Sequence, residues 1–205
     1  MIGVLDYGVG NVGAFIRIFH SQNINAMNIK SPSDFDKVDK IILPGVGSFD
    51  SAIEKLNSSG LRDRLDDFVQ RQNYPLLAVC IGMHMLGNSS EEGSLEGLGY
   101  INGQTKKIKN LDEQKKIYIP HMGWNSIEGD ISNSIWLDID MQEGFYFLHS
   151  YHFEPESPDC IIGTSKYPVD FTCGIQSKDI YGFQFHPEKS LSNGIKLLTN
   201  FAKKN

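Results

Sequence analysis

Short apolar runs alternating with helical patterns constrain this 205-residue chain more than any other feature. Ile2 to Leu5, Ile24 to Ile29, Val38 to Leu43 and Leu76 to Val79 have strand lengths and are too short for ordinary helices. Between them lie helix-period stretches. One runs from about Val12 to Ser21, with Phe15, Ile16 and Phe19 on one side. Two more, Phe49 to Leu56 and Leu61 to Val69, are divided by Asn57-Ser-Ser-Gly60. In the last, Leu61, Leu65, Phe68 and Val69 form an apolar face and charges form the other. Buried strands joined by helical crossovers predict an α/β fold: a doubly wound, mostly parallel sheet with flanking helices. Such sheets bind ligands at the carboxyl ends of their strands.

The second half reads differently. Ile101 to Ile108 alternates in part, and Asn110 to Lys116 is a polar, hairpin-like excursion. Ile117 to Ile119 predicts a strand that Pro120-His-Met-Gly-Trp-Asn125 ends. Phe145 to Leu148 predicts another, with His149-Ser-Tyr-His-Phe153 continuing from it. Cys160 to Thr164 and Phe171 to Gln176 predict antiparallel strands around a Tyr167-Pro168 turn, with both cysteines in the core. Ile180 to Phe185 is a further strand, and Ser192 to Phe201 a closing helix. These antiparallel additions are expected to complete one domain over residues 1–205.

Composition narrows the function classes. A net charge of −6 without a basic block argues against nucleic acid or an anionic membrane surface as the main partner. No apolar stretch is long enough to span a bilayer, and Met1 to Asp6 lacks the positive region of a signal peptide. Cys80, Cys160 and Cys173 are far apart, which predicts cytoplasmic thiols rather than a disulfide framework or a zinc site.

The chemistry centres on Tyr74-Pro-Leu-Leu-Ala-Val-Cys80-Ile-Gly-Met-His84. Cys80 ends a predicted strand, a short helix pattern follows, and Gly82 is expected to make the sharp turn between them. A cysteine at such an elbow is raised at the sheet edge beside the positive end of a helix, which favours the thiolate. The alternative is a buried, inert cysteine. A cysteine nucleophile needs a base, and the base needs an orienting partner. His186-Pro187-Glu188, just beyond an apolar strand, supplies both. Pro44-Gly-Val-Gly47 leaves the third strand with glycines on both sides of Val46, so that backbone N–H groups of Val46 and Ile81 are suitable oxyanion donors. The geometry these residues predict is thiolate attack on a carbonyl carbon through a thioester. Asp6-Tyr-Gly-Val-Gly-Asn11 is a βα loop without a GxGxxG fingerprint. Its Asn11 either faces a ligand or caps the following helix.

Pro44-Gly-Val-Gly47, Cys80-Ile-Gly-Met and His186-Pro-Glu-Lys-Ser190 resemble class I, or triad, glutamine amidotransferases. Asp6 to Asn11, Pro120 to Asn125 and His149-Ser-Tyr151 narrow the resemblance to the glutaminase subunits of imidazole glycerol phosphate synthases. The resemblance covers essentially the whole chain. It implies a catalytic triad of Cys80, His186 and Glu188, an oxyanion loop of Gly45, Val46, Gly47 and Ile81, and glutamine contacts from His84 and Glu92. It implies hydrolysis of glutamine without a metal or organic cofactor, with ammonia passed to a separate (β/α)8 barrel subunit. Asn11, His121, Trp124, Asn125, Tyr151 and Lys189 are the docking residues it implies. One position departs from the family: His84 stands where a glutamine is usual, four residues after the nucleophile. It is expected to line the pocket, charge near its ordinary pKa of about 6.5 and hold the substrate carboxylate more tightly at lower pH. A paralogue serving a barrel that converts an acetamido sugar to an acetamidino sugar would share the triad and docking face.

Overall fold

The computed structural model describes residues 1–109 and 117–204, so the excursion expected at Asn110 to Lys116 lies outside the described residues. The first half follows the predicted alternation. Strand β1 (Ile2–Leu5) leads to α1 (Val12–Ser21), which buries Val12, Phe15 and Phe19 along one stripe. Next come β2 (Ala26–Ile29), a 3-10 turn at Pro32–Lys37, β3 (Lys40–Gly45) and α2 (Phe49–Ser58). Helix α2 buries Phe49, Ala52, Ile53 and Leu56, the spacing of one helical face. Helix α3 (Arg62–Asp66) continues into a π turn at Asp67–Arg71 before β4 (Leu76–Cys80) and α4 (Ile81–Met85).

Shorter strands then build outward. These are β5 (Ser89–Ser90), β6 (Gly103–Lys107), β7 (His121–Asn125), β8 (Glu128–Gly129), β9 (Phe145–His149) and β10 (Tyr151–Pro155). The hairpin β11 (Ile161–Lys166) and β12 (Asp170–Ser177), then β13 (Ile180–Phe183) and α5 (Leu191–Lys203), complete the described chain.

Among the described residues the main sheet runs β2-β1-β3-β4-β13-β12-β11-β8. Neighbours from β2 through β13 are parallel, and those from β13 through β8 are antiparallel. The parallel strands β1, β3 and β4 are apolar because helices cover both sheet faces. In β4 every residue is buried. The aromatic centre of the core, Phe145, Phe183 and Phe185 with Trp136, joins the main sheet to the β7–β9 ribbon.

Several boundaries depart from the sequence reading. The strand expected at Ile117 to Ile119 lies instead at His121–Asn125, where Pro120-His-Met-Gly-Trp-Asn125 was expected to end it. Pairing with β9 supplies the strand's hydrogen bonds, a long-range contact that local pattern does not contain. The segment expected to continue from Phe145 through Phe153 breaks at Ser150: β9 pairs with β7, whereas β10 pairs with β6 in another sheet. Cys173 is fully buried as expected, but Cys160 is half-buried, its thiol donating to the Ser157 carbonyl at 3.1 Å.

Candidate active site

The elbow after β4 forms differently from its prediction. Cys80 itself carries the positive φ, at 54°, a conformation L-residues seldom adopt. Gly82 is helical and serves close packing instead: a Cβ there would lie 2.3 Å from the Leu43 carbonyl oxygen. Gly45 is equally constrained. It is the last residue of β3, opposite Cys80 in register, and a Cβ on it would meet the Gly82 amide nitrogen at 2.4 Å. The two glycines therefore let β3 and α4 approach until the cysteine stands at the sheet's carboxyl edge. Gly47, with φ of 95°, turns the chain away again.

His186 reaches this edge from β13, the parallel neighbour of β4. Pro187 opens a 3-10 turn, Pro187–Lys189, that folds Glu188 back beneath the imidazole. His186 Nδ1 lies 2.9 Å from Glu188 Oε1, and both side chains are almost wholly buried. Ser190 locks the turn, donating from Oγ to the His186 carbonyl at 2.6 Å and accepting from the Tyr146 amide at 3.0 Å. Its role was invisible in sequence because Tyr146 is distant along the chain. Burial opposes a charged His186, but hydrogen bonds to Cys80 and Glu188 and their negative charges outweigh it and push the imidazole up to about 10. The imidazole thus favours its charged form.

A cavity of about 250 Å³ opens above Cys80. Val46, Gly47, Ile81 and Glu92 line it together with His84, His186 and Lys189, and Pro120 and residues 148–151, which include Tyr151, supply further wall. Its volume suits an amino acid rather than a polymer. Glu92 accepts the Phe49 amide at 2.9 Å, and burial raises its carboxyl pKa, with the nearby Asp50 charge adding to the rise and that hydrogen bond opposing it. The Leu148 carbonyl approaches the Cys80 Sγ at 3.9 Å. Tyr7 buries its hydroxyl beneath the Val46 loop and donates to the Pro44 carbonyl at 2.7 Å.

His84 is placed as expected but not charged as expected. It is 1% exposed, and its Nε2 pairs with Gln184 Oε1 at 2.8 Å. Burial lowers its pKa to about 4, with the Gln184 bond opposing the shift and nearby His152 adding to it. The expected strengthening of glutamine binding by a cationic His84 near neutrality is therefore overturned. Burial decides this, and Gln184, which the sequence placed on a strand without a role, supplies the partner of the buried Nε2.

Burial has the same effect on His121, lowered to about 4, and on His149, lowered well below its usual value. Between about pH 6.5 and 4 the unfolded chain binds protons that the folded chain refuses, so stability falls as pH falls through that window. For His84→Gln, thermal melts across pH 4–7 should show a shallower loss, by up to roughly 1.4 kcal/mol per pH unit for one proton. Parallel curves would assign the acid loss to other groups.

The residues expected on the docking face divide. Trp124 is 45% exposed and Lys189 is exposed, its ammonium 5.6 Å from the Tyr146 ring centre. Asn11 is exposed and also caps α1, its Oδ1 accepting from the Ala14 amide at 3.2 Å. His121 is buried, so its side chain is not part of an outer surface. Asn125 is half-buried and donates to the Lys166 carbonyl at 3.0 Å. Met122, within the Pro120 to Asn125 stretch, is 62% exposed and shares the outer face of β7 with Trp124, as strand alternation requires.

A cysteine elbow at a doubly wound sheet edge, with a His–Glu pair delivered from the neighbouring strand, is the arrangement that the resemblance to triad glutamine amidotransferases implied. The chain belongs to that family: the model of class-I glutamine amidotransferases matches residues 4–205. It is 45% identical to the imidazole glycerol phosphate synthase subunit HisH of Leptospira borgpetersenii, over 98% of this chain and 99% of that protein. It is 40% identical to HisH of Bdellovibrio bacteriovorus, over 99% and 100%. The fold is shared with a chain of PurLQS from Thermotoga maritima, at a TM-score of 0.69 and 13% identity, covering 98% of this chain and 96% of that one. No helix among the described residues is long and apolar enough to cross a membrane.

Proposed function

We propose that this chain is the glutaminase subunit of a cytoplasmic imidazole glycerol phosphate synthase, hydrolysing glutamine and delivering ammonia to a separate (β/α)8 barrel. The observation that carries this reading is the Cys80 elbow facing the buried His186–Glu188 pair across an amino-acid-sized cavity. Likeness to HisH proteins along nearly the whole chain supports the pathway.

In this reading the Cys80 thiolate attacks the γ-carboxamide carbon of glutamine. Backbone N–H groups of Val46 and Ile81 take the developing oxyanion. His186 gives its proton to the departing nitrogen, the C–N bond breaks, and ammonia leaves behind a γ-glutamyl thioester. His186 then accepts a proton from water as it attacks the thioester carbon, and glutamate and the thiol are released. Glu188 orients the imidazole throughout. Glu92 suits the substrate's ammonium group. His84 acts as a neutral wall residue. Met122 and Trp124, with Lys189, form the face offered to the barrel.

The test is glutamate release by the chain alone and after addition of the barrel subunit with its phosphoribulosyl substrate. The chain alone should turn over slowly, since the Gly45-Val46-Gly47 segment must place its N–H groups before catalysis, and the full complex at least about a hundredfold faster. Equal rates would remove the gating. Absence of glutamate in the complex would remove the glutaminase reading. Formation of imidazole glycerol phosphate from glutamine, rather than an acetamidino sugar with the corresponding barrel, decides the pathway.

A further inference from the structure

His121 and His149 lie directly opposite each other in the β7–β9 pair. Their contact is a hydrogen bond between rings, His121 Nδ1 to His149 Nε2, at 2.9 Å. The other nitrogen of His149, Nδ1, lies 2.8 Å from the Tyr151 carbonyl oxygen. A carbonyl only accepts, so His149 Nδ1 carries the proton. Burial keeps His149 neutral, so its Nε2 is an acceptor. His121 must then donate from Nδ1, which leaves its own Nε2 as an acceptor facing Asn125 Nδ2 at 3.4 Å. One carbonyl thus sets the tautomer of both rings and the direction of the whole chain.

The surroundings hold this arrangement in place. The His121 ring stacks on Tyr167 at 4.1 Å and on Phe147 at 4.9 Å between centroids. His149 tilts against Phe171 at 5.1 Å. Among the described residues no group of three or more His, Cys, Asp or Glu side chains is arranged to hold a metal ion. The receiving end is the cavity wall: His149, Ser150 and Tyr151 all line it, at the point where the chain leaves one sheet for another. The starting end is β7, whose outward residues Met122 and Trp124 are exposed.

We propose that His121 and His149 are positioning residues that fix the Leu148-to-Tyr151 wall of the glutamine cavity from strand β7, through a one-way hydrogen-bond chain ending on the Tyr151 carbonyl. This rests on the glutaminase reading and adds to it a route by which the docking strand governs substrate binding. A displacement of β7 moves His121, and His149 transmits it to the wall.

Two substitutions separate the hydrogen bond from the stacking. His121→Phe keeps a ring between Tyr167 and Phe147 and removes the donor. His121→Asn removes most of the ring and keeps an N–H near the position of Nδ1. In the complete complex, His121→Phe should raise the glutamine KM about tenfold, because a buried acceptor is left unpaired, and change kcat by less than about threefold. His121→Asn should restore KM to within about twofold of native. A defect in His121→Asn with none in His121→Phe would assign the role to stacking, and equal defects in both variants or an unchanged KM in His121→Phe would overturn the hydrogen-bond chain.

Nitrogen-15 spectra of the native chain provide a test that does not depend on variant folding. Both imidazoles should be neutral at pH 7 and protonated at Nδ1, and an Nε2–H tautomer in either would overturn the proposal. Failure of the glutaminase reading is distinguishable, because the native complex would then release no glutamate at all.

Discussion

Cys80→Ala should abolish glutamine-dependent synthesis by the assembled enzyme and leave ammonium-dependent synthesis intact. The expected loss with glutamine is about a thousandfold or more, since no other group on the cavity can form the thioester. Cys173 is buried in the sheet with its thiol pKa raised by burial, and Cys160 is on another face of the molecule, at a 3-10 turn beside β11. Ammonium bypasses the chemistry at Cys80 and reaches the barrel from solution. The small change in volume should leave the elbow folded, and the positive φ at residue 80 is tolerated no worse by alanine than by cysteine. Glutamate release and acceptor conversion are measured in parallel. Native turnover of glutamine by the variant would reject Cys80 as the nucleophile, and loss of both activities would indicate a collapsed complex.

Gly82→Ala should also be severe, for a steric reason. The added methyl would lie 2.3 Å from the Leu43 carbonyl oxygen, a backbone atom in the middle of the sheet that cannot swing aside. Either α4 lifts from β3 or β3 shifts, and both movements carry Cys80 away from His186. Overpacking of this kind costs about 1–3 kcal/mol in stability, and an ångström of misplacement at a reacting centre costs about a hundredfold in rate. The expected result is a lower Tm together with a fall in glutamine turnover of at least about a hundredfold, while ammonium-dependent synthesis falls much less. Native glutaminase activity in a well-folded Gly82→Ala would show that the contact between α4 and β3 does not set the elbow. Gly47→Ala is the comparison: no atom lies within 4 Å of its added Cβ, so any defect there comes from the backbone conformation alone.

The parallel half of the fold was legible in sequence because its signals are local. Buried strands such as Leu76–Cys80 read as continuous apolar runs, and helices such as Phe49–Ser58 read as stripes, since burial on both sheet faces or on one helix face imposes those periods. Cys80 and the His186-Pro187-Glu188 turn were legible as a candidate site for the same reason: each stands at or just beyond the end of such a strand, at the edge where these sheets bind ligands.

What the chain could not disclose alone depends on partners far away in sequence. His84 has a histidine's ordinary chemistry until complete burial lowers its pKa, against the opposing hydrogen bond of Gln184, 100 residues later. His121 looks like a docking residue until pairing with β9 turns its ring inward against His149 and leaves Met122 and Trp124 outside. The division of Phe145 to Phe153 between two sheets follows from which strand each half meets. Sequence by itself determined the secondary-structure alternation and the candidate groups at the sheet edge, because those rest on side-chain type and local period. Only the tertiary structure decided their charge states, tautomers and facing, because burial and hydrogen-bond partners exist only once distant segments meet.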